Sequence, residues 1–286
     1  MNAILSTQRP ILIYDGDCGI CRAITKILLS SRLISPDRIK PYEQLQGDVA
    51  SAVWAAGIRN EMVAVSPSGT ETRAGISGML WVLEEQLPSF IMQFVYFTPI
   101  KRTLTFLYKT IAYNRRVISP SSRGLACTCD PDYSKFYSVS FFLCCIVFAS
   151  IITALFGAAI FSESGLGSEL EGAAQMIGAA GSGWVMLMLA SISISGQKQV
   201  EFLAHLGATM VVGVIVLVPA ILLTPILNTN LMYALLVLSV VGSFTTMLHM
   251  QRYRIQRIGL PQRWVTVWVI CLLFSSVLWT IFYFAL

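Results

Sequence analysis

The chain has 286 residues, 55% of them hydrophobic and 12% charged, with 20 Lys and Arg against 15 Asp and Glu. That is long enough for two domains and too apolar for an ordinary soluble protein, so it points to membrane spans. There is no basic run with interleaved aromatics, and the mild positive excess does not suggest a nucleic-acid partner. Residues 1–137 hold 15 of the basic and 11 of the acidic residues. The expected architecture is an α/β domain over 1–118, a linker over 119–136 and an all-α membrane domain over 137–286.

The first element is carried by residues 11–22, Ile-Leu-Ile-Tyr-Asp-Gly-Asp-Cys-Gly-Ile-Cys-Arg. Ile11–Tyr14 suits a buried strand, which Asp15, Gly16 and Asp17 break. Ile24, Ile27, Leu28 and Leu29 recur at helical spacing, so a helix is expected from about Cys18 to residue 33, ended by Ser35 and Pro36. Cys18 and Cys21 thus stand at Cys-x-x-Cys spacing on a helix N-terminus. Unpaired helix N–H groups and the positive end of the macrodipole favour an anion there, and the thiolate is the form that attacks a disulfide. Cys18 is the expected nucleophile and Cys21 the resolving thiol. Arg22 would favour the thiolate; Asp15 and Asp17 would oppose it.

Three other readings of this stretch exist. The cysteines could be packing residues. They could form half of a four-cysteine zinc site completed by Cys127 and Cys129, although the second pair is Cys-x-Cys rather than Cys-x-x-Cys. An apolar strand ending in Asp-x-Asp also resembles the first motif of haloacid-dehalogenase-type phosphotransferases, with Asp15 as nucleophile and Gly19 departing from the usual pattern.

Further along, Arg38–Tyr42 suits a second strand parallel to the first, and 47–57 a helix carrying Val49, Val53 and Trp54. Glu61–Val65 and Thr70–Arg73 flank Ser66-Pro67-Ser68-Gly69, a hairpin signal. Ile76–Leu87 reads as an amphipathic helix stopped by Pro88. Residues 89–118 are aromatic, aliphatic and basic and should be helical, either capping the α/β core or lying on the membrane surface.

Five apolar segments follow, at about 137–159, 173–195, 202–227, 231–250 and 264–286, each long enough to cross a bilayer. Arg252, Arg254, Arg257 and Arg263 in the 251–263 loop mark it as cytoplasmic, whereas the 160–172 loop holds three Glu and no Lys or Arg. No secretory signal peptide is visible. The expectation is an integral protein of a bacterial-type inner membrane, N-terminal domain in the cytoplasm and C-terminus on the opposite side. Ala174, Gly178, Gly181 and Gly183 would permit close packing of the second span, and Pro219 and Pro225 would kink the third. His205 and His249 are expected at similar depth, either as interfacial residues or as ligands of a haem or a quinone headgroup. Cys144 and Cys145 read as small packing residues.

The segment YDGDCGICR resembles the signature of the DCC-type thiol-disulfide oxidoreductases, a thioredoxin-like family. Glu61–Gly75 and the Leu107–Arg116 segment LYKTIAYNRR, followed by Cys127, extend the similarity over roughly residues 9–130. The resemblance implies a thioredoxin-like fold with a redox-active Cys18–Cys21 pair, and the order β-α-β-α-β-β-α fits that layout. One departure is the stretch Ile58–Glu61, which has no proline where thioredoxins carry a cis-proline opposite the cysteines.

The expected function is therefore that of a membrane-anchored thiol–disulfide oxidoreductase, acting on a protein or small-molecule disulfide, with Cys127 and Cys129 as a possible relay. It needs no metal or cofactor. Two alternatives are a redox relay to quinone or haem, and a non-catalytic subunit that assembles with other membrane subunits.

Overall fold

The structure is a computed structural model, and it describes residues 9–119, 131–165 and 167–285. The chain divides into two compact units, Met1–Tyr137 and Ser138–Leu286.

The first unit is built on a four-stranded sheet: β1 (Ile11–Tyr14), β2 (Ile39–Pro41), β3 (Val63–Val65) and β4 (Thr72–Ala74), in the order β2-β1-β3-β4. β2 runs parallel to β1, while β3 is antiparallel to both β1 and β4. The parallel pair requires a crossover. It is supplied by α1 (Gly19–Ser30), as the strand–helix–strand reading expected. Side chains alternate across the sheet. Ile11, Ile13, Val63 and Val65 point to one face, where Val53 of α2 (Gly47–Ala55) joins them. Leu12 and Ala64 point to the other, with Leu28 of α1 and Val82 of α3 (Gly75–Leu83). Arg38 is buried and donates to the carbonyls of Pro10 and Val82 at 3.2 and 3.1 Å, tying β1 to α3.

Two helices are shorter than expected. α1 stops at Ser30 rather than near residue 33. The Ser30 and Ser31 hydroxyls bond back to the Ile27 carbonyl, and Arg32 then adopts a left-handed backbone with φ 56°. α3 ends at Leu83, four residues before the expected stop. Gly75 opens α3 at φ +62°, and Glu61 and Tyr108 fill the space a Cβ would need there. The 89–118 stretch is helical as expected, in three pieces: α4 (Ser89–Tyr96), α5 (Thr98–Tyr113) and α6 (Arg115–Ile118).

The remaining helices are α7 (Lys135–Ser164), whose first turn belongs to the first unit, α8 (Glu169–Ala190), α9 (Gln197–Leu223), α10 (Thr229–Ile258) and α11 (Arg263–Ala285). By length and apolarity all five can cross a membrane, so the protein is an integral membrane protein. α10 packs on α9 and α11 on α8. α7 and α8 approach closely at one point, where a Cβ on Gly172 would collide with the Gly157 carbonyl and the reverse is also true. Gly178 and Gly183 of the expected small-residue stripe do receive α11, at Trp279 and Leu272; Gly181 has open space beside it. Pro219 lies inside α9, and Pro225 in a 3-10 turn that ends it. α10 runs eight residues beyond its expected end, to the left-handed Gly259. Arg252, Arg254 and Arg257 are therefore helical rather than in a loop, because nothing before Gly259 and Pro261 breaks the helix.

Candidate active site

Cys18 is the N-cap of α1, in extended backbone with φ −82° and ψ 117°. Its Sγ accepts the backbone N–H of Cys21 at 3.3 Å, so a sulfur takes the place of the usual Ser, Thr or Asp oxygen. The strand edge fixes this position. Cys18 N–H donates to the Asp15 carbonyl at 3.2 Å, and Asp17 N–H donates to Asp15 Oδ1 at 3.0 Å, closing the turn after β1. Both thiols are free and buried, Cys18 at 4% and Cys21 at 6% exposure.

The cation beside the sulfurs is Arg115, on α6. Its Nη1 lies 3.9 Å from Cys21 Sγ, its Nη2 donates to the Arg59 carbonyl at 2.7 Å, and Nη2 is 3.2 Å from Asp15 Oδ2. Asp15 and Arg115 are 1% and 3% exposed at the side chain, so this is a fully buried ion pair. Arg22, the cation expected from sequence, is exposed at the surface of α1. Asp17 is half-buried in the turn. An aspartyl phosphotransferase needs a carboxylate that substrate can reach, and Asp15 is sealed against Arg115.

These neighbours separate the two thiols. The Cys18 thiol is drawn down to about 6, first by the hydrogen bond from the Cys21 thiol, then by the Cys21 N–H and Arg115, against the opposing effects of burial and Asp15. Cys21 moves upward, because its proton is held in the bond to Cys18 and burial disfavours its charge. The arrangement therefore holds an anion on Cys18 and a proton on Cys21 at neutral pH.

The loop before β3, where the sequence has no proline, offers the Arg59 carbonyl to Arg115. Next to it, the Tyr108 hydroxyl accepts the Met62 N–H at 2.8 Å, and Lys109 lies 3.4 Å from Glu61. Burial pushes the Tyr108 phenol up. Sequence reasoning missed the roles of Arg115 and Tyr108. The available signal was that both fall in LYKTIAYNRR, while Glu61 and Met62 open the second segment of the resemblance. All three quoted segments meet at this one place.

Cys127 and Cys129 lie outside the described residues. The chain on either side of them is described. Ser119 lies directly against Gly19, leaving no room for a Cβ there. On the far side, Asp132 pairs with Asn60 through two hydrogen bonds of 2.8 and 3.0 Å and with Arg59 at 3.2 Å. Both flanks are thus fixed beside the dithiol. Among the described residues no three His, Cys, Asp or Glu side chains form a metal-binding group.

In the membrane unit the two histidines are not brought together. His205 is buried, with Arg254 Nη1 at 2.9 Å from its Nδ1. Thr209 donates to the His205 carbonyl at 2.9 Å and lies 3.2 Å from Gln251 Oε1. His249 is exposed on the outer side of α10. A haem or quinone ligand at Nδ1 of His205 would have to displace Arg254. Cys145 packs against Gly207, as a packing residue does, whereas Cys144 is exposed and does not fit that reading.

No protein-family model, curated protein or solved structure matches the chain.

Proposed function

We propose that the protein is a membrane-bound thiol–disulfide oxidoreductase with a thioredoxin-like domain of the DCC type, whose working dithiol is Cys18 and Cys21. The observation that carries this reading is the asymmetry of the pair: a buried Cys18 sulfur capping α1 with its pKa drawn to about 6, and a Cys21 that keeps its proton. The β-α-β-α-β-β-α order and the meeting of all three resembling segments at the dithiol support it.

In the reductase direction, the Cys18 thiolate attacks one sulfur of a substrate disulfide. A Cys18–substrate bond forms and the substrate S–S bond breaks, releasing the first substrate sulfur as a thiolate. Cys21 then gives up its proton to that departing thiolate and attacks Cys18 Sγ. The Cys18–Cys21 disulfide forms, and the second substrate thiolate leaves. The enzyme has given two electrons, and a dithiol reductant restores it. Arg115, beside Cys21, favours the anion that develops there in the second step. The arginines of the α10–α11 region argue for a cytoplasmic dithiol, where the reducing direction prevails.

Purified full-length protein should catalyse reduction of insulin disulfides by dithiothreitol, and Cys18→Ser should abolish it. Undiminished turnover by that variant would end this reading.

A second reading adds Cys127 and Cys129 as a relay, supported by the two flanks anchored at Gly19 and at Arg59–Asn60. In Cys21→Ser, Cys18 should then be trapped in a mapped disulfide with Cys127 or Cys129. Recovery of only external mixed disulfides would reject the relay.

A further inference from the structure

We propose that the α4–α5 face is a docking surface for anionic phospholipid, with a headgroup phosphate seated in a basic groove. Phe90 and Phe94 of α4 and Phe97 directly after it recur at i, i+4, i+7 spacing, and they are 69%, 64% and 61% exposed. Phenyl rings left that far in water are unusual on a closed surface. Tyr96 and Thr98, on either side of Phe97 in the chain, help to line a groove of about 560 Å³ with Lys101, Arg102, Lys109, Thr105 and Tyr137, and no carboxylate is among its lining residues. Lys109 is shared with Glu61. Lys101 lies over the Tyr96 ring at 5.2 Å. The whole 89–118 stretch holds five Lys and Arg and no Asp or Glu.

Two observations identify a lipid surface as the occupant. The charge has the sign and the aromatic neighbours that suit an anionic leaflet: rings enter the acyl boundary and cations meet the phosphates. The groove also adjoins the root of a membrane helix. Phe136 and Tyr137, in the first turn of α7, pack on Phe106 and Tyr113 of α5 at centroid distances of 6.1 and 4.8 Å. Tyr137, which lines the groove, is the last residue of the first unit, and the apolar run of the first span follows it directly in sequence. Docking here is independent of whether the dithiol is catalytic.

The test uses full-length protein reconstituted in phosphatidylcholine vesicles with or without phosphatidylglycerol. The photocrosslinker p-benzoyl-phenylalanine is placed at position 94, or at exposed position 51 on α2 as a control. Illumination should attach lipid acyl chains at 94 and not at 51, with a yield that rises severalfold with phosphatidylglycerol. Lys101→Glu with Arg102→Glu should remove that rise, each lost charge weakening the attraction about fivefold. Unchanged alkylation of Cys18 in the variant confirms that its domain is folded. Adducts only to protein, whether within the chain or to a partner, or lipid adducts equal at 94 and 51, would overturn the proposal.

Discussion

The two cysteines differ by one proton, and this has a measurable electrochemical signature. Cys18 ionises near 6, whereas Cys21 stays protonated through the neutral range. Closing the disulfide releases two protons below pH 6 and one above it. The midpoint potential should therefore fall by about 60 mV per pH unit below 6 and about 30 mV per unit above. A redox titration by thiol alkylation and mass shift checks this, and a single slope across the range would contradict the assignment. Thiolate stabilisation has the same sign: it favours the reduced form at neutral pH and is lost as pH falls through 6. Arg115→Met should raise the pH of half-maximal Cys18 alkylation. It should also destabilise the domain by about 3–5 kcal/mol, because Asp15 is left buried without its partner. Hydrogen exchange at β1 measures that loss, and Asp15→Asn in the same chain should recover most of it. Cys18, Cys21 and Asp15 were legible because they sit within seven residues, on a strand–turn–helix pattern that spacing alone reveals. Arg115 was not. It lies 94 residues from Cys21, in a basic helical stretch where nothing in the periodicity marks which guanidinium reaches the dithiol.

Elements were legible where a breaker or a period marked them. Pro88 marked the start of α4 though not the earlier end of α3, and the Ser-Pro-Ser-Gly turn marked the β3–β4 hairpin. α1 ends early because serine hydroxyls compete for helix carbonyls, a weaker sequence signal than the Pro36 that follows. α10 runs on because Arg252, Arg254 and Arg257 are good helix formers, and clustered charge alone does not make a loop. Packing between spans was half legible. The glycine stripe of α8 pointed to close contact, yet a backbone-to-backbone approach is also made by Gly172 and Gly157, which lie outside that stripe. Gly172→Leu should force α7 and α8 apart at the cost of about 1–3 kcal/mol. Detergent-solubilised protein should then unfold at a lower temperature, while Gly181→Ala, with open space beside it, should have little effect.

At the scale of the whole chain, the five-helix membrane unit was legible from hydropathy alone. Its proposed sidedness rests on charge. With Arg254 turned inward to His205, the count outside the helix bundle rests on Arg252, Arg257 and Arg263. Three cations at one end against the glutamates of the 160–172 connection are the basis of the orientation we propose. Glu163→Cys should react with a membrane-impermeant maleimide from outside intact cells, and Gln262→Cys should react only after lysis. The opposite pattern would reverse the proposed orientation. The Asp15–Arg115 pair also bears on how such a domain can be shared among proteins. The β-α-β-α-β-β-α core closes at Leu83, and as a unit of shuffling it looks self-sufficient. Its buried carboxylate, Asp15, finds its cation only at Arg115. A fragment cut after α3 would carry an orphaned carboxylate into any new host, so α5 and α6 must travel with the dithiol, and with them the basic aromatic face and the root of α7.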